Sequence, residues 1–267
     1  MKPIVDYHMH TFLCGHASGQ PHEYIQAAVA AGLEEAGFSD HAPLVSHDDP
    51  TLTMSRDQLP QYHHMIEDVR ARFDGQIRVR VGIEADFLEG CENKTREILD
   101  GYAYDYVIGS VHYIENWGFD DPKEVEKWKQ ADVDQVYRQY YLYLRKSAQS
   151  GLFDIMGHVD LVKKFGHRPS QTLFEEIKKT ADTFKDAGVA IEINTSGLRK
   201  PAKEMYPALE DLKIYCERGV PFTFGSDAHQ PQEVGMDFDK AAALAKEAGY
   251  QEYVLFENRE ICQKVKL

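Results

Sequence analysis

Seven short runs rich in β-branched and aromatic residues alternate with longer segments of helical periodicity, and this alternation restricts the possible folds more than any other feature of the chain. The β-like runs are IVDYHMH (4–10), EEAGFSDH (34–41), IRVRVGIEADF (77–87), YDYVIGSVHY (104–113), FDIMGHVD (153–160), VAIEINTS (189–196) and PFTFGSDAH (221–229). The helical segments are 21–31, 57–73, 92–100, 132–149, 170–187, 207–218 and 237–248. Ser170 stands where a helix starts, and Gly188 and Gly249 where helices stop. Strands that alternate with helices pair in parallel and are covered on both faces, so the pattern predicts a parallel sheet closed or nearly closed into a barrel. The 267 residues, 43% of them hydrophobic, suffice for one such barrel. No repeat, low-complexity tract or linker rich in Pro, Gly or Ser divides them, so a single domain over 1–267 is expected. The least regular stretches, 42–56 and 114–131, follow the second and fourth strands, where a barrel carries its site-building loops.

The 12 histidines are not scattered evenly over this framework. His8 and His10 end the first strand two residues apart, and strand alternation points both to one side. Asp227 and His229 repeat the spacing at the end of the last strand. His41 closes the second strand after Asp40, Glu84 lies within the third, His112 closes the fourth and His158 lies late in the fifth; His16 follows the first strand. Six of the seven strands therefore carry a ligand-competent residue at or near the carboxyl end, where barrel active sites are built. An H-x-H or D-x-H pair alone marks little, but their joint placement points to a metal cluster. Imidazole mixed with carboxylate suits Zn, Fe or Mn rather than Ca or Mg. Nine ligands suit two or three divalent metals sharing a carboxylate and a bridging water. Among the other histidines, His63 and His64 read as solvated helix-face residues, and His47 and His167 as candidates for a pocket wall.

The chain carries 44 acidic against 30 basic side chains, a net charge of −14. That balance argues against a general binder of nucleic acid or anionic membrane, and it leaves an anionic substrate dependent on metals or on placed arginines. Cys14, Cys91, Cys216 and Cys262 form no C-x-x-C pair and read as free thiols. The N-terminus, MKPIVDYHMHT, shows no apolar signal region, no apolar run is long enough for a membrane span, and a cytoplasmic location is expected.

The segments DYHMHT (6–11), FSDH (38–41), GIEADF (82–87), IGSVHY (108–113), GHVDLVKKFGHR (157–168), NTSGLRKP (194–201) and GSDAH (225–229) resemble the polymerase and histidinol phosphatase superfamily, in order and over essentially the whole chain. Within it, CGHA, KKFGHR and NTSGLRKP look most like the monofunctional histidinol-phosphate phosphatases of bacteria. The resemblance implies a distorted (β/α)7 barrel with a trinuclear site at the carboxyl ends of its strands. One metal would be held by His8, His10, Glu84 and Asp227. A second would share Glu84 and add His112 and His158, and a third would take His16, His41 and His229.

The implied reaction is hydrolysis of L-histidinol phosphate to L-histidinol and phosphate, with a metal-bridging hydroxide attacking phosphorus in line and Asp227 or His229 as the proton carrier. Arg168 and Arg199 follow strands that carry site residues and are candidates for a phosphate clamp, since guanidinium matches phosphate oxygens bidentately. Lys163 and Lys164 are further candidates. Asp160 is the candidate partner of the substrate amine, or else a support for His158. Rival readings are a phosphodiesterase or protein-tyrosine phosphatase on the same cluster, a deaminase-type barrel, and a metal-binding module without turnover. The arginine-bearing loops favour phosphate over deamination, and the filled ligand positions disfavour the inert module.

Overall fold

A computed structural model describes residues 4–267. The seven barrel strands are β1 (Val5–Asp6), β2 (Glu35–Phe38), β3 (Arg78–Asp86), β4 (Tyr106–Ser110), β7 (Ile155–Met156), β8 (Ala190–Asn194) and β9 (Phe222–Gly225). A short hairpin, β5 (Tyr113–Ile114) and β6 (Trp117–Gly118), interrupts the count after β4. The barrel strands pair in parallel in chain order. The barrel closes between the segments that follow β1 and β9: Met9 bridges Ala228, His10 N–H donates to the Ala228 carbonyl at 2.9 Å, and Ala228 N–H donates to the His8 carbonyl at 3.0 Å. The expected barrel of seven parallel strands is what forms.

Helices α1 (Pro21–Ala30), α2 (Leu59–Arg72), α3 (Glu92–Leu99), α4 (Val133–Gln149), α5 (Phe174–Ala187), α6 (Leu209–Glu217) and α7 (Phe238–Ala248) connect the strands. Their ends follow local chemistry. Asp132 accepts the Gln135 N–H at the start of α4, and Gly188 closes α5 in the left-handed region at φ 74°. Ser170 does not start α5 directly; its hydroxyl and N–H donate to Asp134 instead, and the helix begins four residues later.

The strands are shorter than the runs that signal them, because each run continues past the sheet into the segment that carries site residues. The run 153–160 pairs only at Ile155–Met156, which leaves His158 beyond the ladder with φ 26°. The barrel floor is aromatic. Tyr7 and Tyr106 stack at 4.6 Å between ring centroids, and Tyr106 fits because its strand neighbours Gly37 and Gly82 have no side chain to meet it. Beneath them the Tyr7 hydroxyl donates to buried Glu35, whose carboxylate also takes Arg78 at 2.7 Å and Arg80 at 3.1 Å. A C-terminal antiparallel hairpin, β10 (Glu252–Glu257) and β11 (Glu260–Lys266), lies outside the barrel sheet and was not signalled by the alternation. No helix among the described residues is long and apolar enough to cross a membrane.

Candidate metal centre

All nine side chains expected as ligands converge at the carboxyl end of the barrel. Glu84 is the hub. Its Oε2 lies 3.0 Å from His41 Nδ1 and 3.3 Å from His8 Nε2; its Oε1 lies 3.1 Å from His158 Nε2 and 3.6 Å from His112 Nε2. Asp227 Oδ1 lies 3.2 Å from His10 Nε2 and 3.4 Å from His229 Nδ1. His16 and His229 bring their Nε2 atoms to 3.0 Å.

How the rings are anchored shows which nitrogens are free. His8 Nδ1 meets Glu192 at 2.9 Å, His10 Nδ1 meets Asp40 at 3.3 Å and His112 Nδ1 meets Asp86 at 2.9 Å. The Nδ1 atoms of His16 and His229 meet the carbonyls of Cys14 and Asp227 at 3.0 and 3.1 Å. A carboxylate or carbonyl on Nδ1 fixes the proton there and turns the Nε2 lone pair toward the cluster, the arrangement that metal-binding histidines use. Glu192 also accepts the His158 N–H at 2.8 Å and the Asn194 amide at 2.9 Å, so one carboxylate sets both His8 and the turn that carries His158.

Several of these inward-facing atoms are buried and make no aligned hydrogen bond, although they crowd one another and Asp227 and His41 at 3.0–3.3 Å: His8 Nε2, His10 Nε2 and Glu84 Oε2. Buried polar atoms without partners are costly, and three of them around one point fit a cation as the missing partner. Compact donor sets of this kind are His8–His10–Asp227, His10–His41–His229 and His41–Glu84–His112. The second set implied by the family resemblance also comes together, with His158 and His112 both facing Glu84 Oε1, while His41 stands beside Glu84 and His112 as well.

The electrostatics divide the cluster. Burial alone would raise the Glu84 carboxyl, but His41, His8 and His158 outweigh it and hold it well below the ordinary carboxylate range. Asp227 is held low in the same way, with His8 and His10 opposing burial. Burial disfavours the charged forms of His8, His10 and His112, yet their carboxylate neighbours prevail, with His10 pushed up to about 9 and His112 to about 10. His16 is lowered to about 4 by burial and by His41 and His10, and His229 is lowered well below its usual value by burial and His10. Asp227 sits at φ 54°, a backbone strain that the barrel closure beside it maintains.

All of the cluster side chains except the fully buried His8 and His10 line a cavity of about 600 Å³, within the range of small-molecule sites. Arg199 lines this cavity as expected. Its Nη2 donates to the Ser226 carbonyl at 2.7 Å, its Nε lies 3.4 Å from Glu233, and its buried Nη1 has no partner.

Arg168 departs from expectation. It does not line the cavity; it lies 44% exposed and donates to the Lys163 and His167 carbonyls and to Glu204, because the turn after Gly166 carries it away. Asp160 also departs. It is buried behind His158, paired with Lys163 at 2.6 Å and accepting the Ala208 N–H at 2.8 Å, and so has no access to the cavity. His47 lines the cavity, whereas His167 stacks on Trp128 at 4.6 Å outside it. His63 lies half-buried on the face of α2, stacked on Tyr102 at 4.1 Å.

The anchoring residues Asp86 and Glu192 were missed by sequence reasoning. Each carried a signal: Asp86 stands two residues after Glu84 on the same strand face, and Glu192 is the lone charge in a buried strand, between Ile191 and Ile193. Lys164, a further candidate for the phosphate clamp, pairs with Asp120 at 2.8 Å on the cavity wall.

A parallel barrel that gathers imidazoles and carboxylates at its strand ends around a small cavity defines a metal-dependent hydrolase. The chain belongs to the PHP domain family, whose model matches residues 6–196. It is 44% identical over 249 residues to a Deinococcus radiodurans protein named "Probable histidinol-phosphatase", covering 93% of this chain and 95% of that one. It is 31% identical to a Bacillus subtilis histidinol-phosphatase, covering 88% of this chain and 96% of that protein. The crystal structure of histidinol phosphate phosphatase from Lactococcus lactis, complexed with Zn, L-histidinol and phosphate, shares the fold at a TM-score of 0.82 and 24% identity, covering 98% of this chain and all of that one.

Proposed function

We propose that this protein hydrolyses L-histidinol phosphate to L-histidinol and phosphate, using two or three divalent transition metals held by His8, His10, His16, His41, Glu84, His112, His158, Asp227 and His229. The observation that carries the reading is that Glu84, His16, His41, His112, His158, Asp227 and His229 line one cavity with Arg199 and Lys164, so ligands for cations and cations for a phosphate meet in one place. The substrate is the one named by the relatives at 44% and 31% identity. Zn, Mn and Fe all suit the mixed imidazole and carboxylate set.

When bound, the metals supply Lewis acidity toward phosphate oxygens and lower the pKa of a water. The protein's own residues do the rest. Arg199, with its partnerless Nη1, takes a phosphate oxygen and orients phosphorus over the cluster. As metal ligands, Asp227 and His229 would bind in their proton-free forms, so they would begin the cycle as acceptors. The proton that Asp227 or His229 takes from the attacking water is then available to the leaving alkoxide.

Reconstitution with Mn, Zn or Fe in turn, followed by phosphate release from L-histidinol phosphate, phosphotyrosine and a phosphodiester, tests the reading. The histidinol ester should have the highest kcat/KM. Equal or better turnover of either other ester would overturn the assignment of substrate.

A further inference from the structure

The cavity has two walls of opposite character. The segment after β8 brings Arg199 and Lys200; the segment after β6 brings Asp120, Asp121 and Glu124. Most cavity carboxylates are already engaged. Glu84 and Asp227 belong to the cluster, Asp86 holds His112, and Glu233 accepts the His229 N–H at 2.9 Å. Toward the mouth, Glu124 pairs with Lys127, Asp121 accepts the Lys123 N–H, and Asp49 accepts from Thr51. Asp120 differs. It pairs through Oδ2 with Lys164 at 2.8 Å, and no hydrogen bond reaches its Oδ1 among the described residues. It is 17% exposed and lines the cavity together with His112 and His158 of the cluster.

Substrate chemistry selects among these positions. In L-histidinol phosphate the ammonium sits on the carbon next to the ester methylene, so its partner must lie close to the reacting phosphorus. Asp120 is the cavity carboxylate outside the cluster that meets this condition. Its partner Lys164 completes the match. An anion and a cation held side by side on the wall face a substrate whose cation and anion are also side by side. Each charge gains an opposite partner on binding, so the wall binds the zwitterion without stranding a buried charge.

We propose that Asp120 is a specificity-determining residue that binds the substrate ammonium, while Lys164 beside it takes a phosphate oxygen. This inference rests on the phosphomonoesterase reading above. It makes the preferred class phosphate monoesters of 2-amino alcohols, with the imidazole reaching outward toward His47 and Tyr113.

The test compares L-histidinol phosphate with 3-(imidazol-4-yl)propyl phosphate, which lacks only the amine. The parent should prefer the amine-bearing ester, and Asp120→Asn should cut the ratio of the two kcat/KM values by about 10- to 150-fold, the range for a hydrogen bond to a charged group. Calorimetry with L-histidinol alone should show the same loss of affinity in Asp120→Asn. Asp121→Asn should leave the ratio unchanged. If Asp120→Asn does not fold, Asp120→Glu, which keeps the charge but lengthens its reach, should lower the ratio partway. A parent that strongly prefers the amine while Asp120→Asn keeps that preference would overturn the role of Asp120 and leave the enzyme assignment standing. Equal loss on both esters would make Asp120 a support for Lys164 only, which also overturns it. A parent inactive on both esters would remove the function and this inference together.

Discussion

At the residue scale, the two arginines proposed from sequence separate into different fates. Arg199 faces the cavity with a buried, partnerless Nη1, whereas Arg168 is half exposed and tied to Glu204 and two carbonyls. An arginine–phosphate contact in a partly dry site contributes about 1.5–3 kcal/mol, so Arg199→Ala should lower kcat/KM about 10- to 150-fold with metal content intact. Arg168→Ala should change it less than about twofold, as for a surface charge. Steady-state kinetics with parallel elemental analysis would show both, and the reverse ranking would mean that the cavity opens differently. Glu84 makes a second prediction. It is the shared anion among His8, His41, His112 and His158. Glu84→Ala leaves bound cations facing one another without a bridge, so metal content and activity should fall together. Full metal content in that variant would remove Glu84 from its role as hub. These fates differ in legibility for a physical reason. A ligand pair such as His8 and His10 is fixed by strand alternation, which sequence displays. The direction of Arg168 depends on a turn through Gly166 at φ 88°, which sequence spacing does not display.

At the element scale, strand positions were legible and strand lengths were not. The runs 77–87 and 189–196 nearly coincide with β3 and β8, because those strands pair along most of their length. The runs 4–10 and 153–160 pair over only two residues each, since the chain leaves the ladder to present His8, His10 and His158. The site therefore shortens the strands that serve it. The C-terminal hairpin of β10 and β11 escaped the reading because it repeats no strand–helix unit and adds nothing to the barrel. Packing inside the barrel makes a prediction of its own. A Cβ at Gly82 would lie 2.4 Å from the Tyr106 ring, too close for contact without displacement. The ring cannot retreat easily, because its hydroxyl donates to the Tyr7 carbonyl at 2.6 Å and its face stacks on Tyr7. Gly82→Ala should therefore cost about 1–3 kcal/mol by overpacking, measured by urea unfolding at saturating metal. Tyr106→Leu in the same chain should restore part of that loss, and additive losses in the double variant would show that the strain lies elsewhere.

At the scale of the whole molecule, folding gathers seven of the 12 histidines of an acidic chain into one partly buried cluster, and the cost of doing so links stability, metal and protons. Without metal, His10 is pushed up to about 9 and His112 to about 10, because Asp227, Asp40 and Asp86 outweigh the burial that favours neutral rings. Both rings then hold a proton at pH 7 that a metal must displace, since imidazole binds metal only in its neutral form. Metal binding should therefore release protons, and apparent affinity should rise with pH until those groups have titrated near pH 9 to 10. Calorimetric titration of chelator-stripped protein in buffers of differing ionisation enthalpy measures the protons released. The sign for stability follows from the same shifts. Folded-state values above the unfolded one near 6.5 mean that the metal-free chain draws stability from these rings below about pH 6.5 and loses it as pH climbs toward 9 to 10. The metal-loaded chain gains instead by RT ln(1 + [metal]/Kd), a term that grows as pH rises and affinity improves. The gap in Tm between loaded and stripped protein should thus widen from pH 6 to pH 9. A gap that stayed constant over that interval, with no proton release on titration, would mean that these histidines are already neutral in the metal-free chain and that their carboxylate partners do not govern the site.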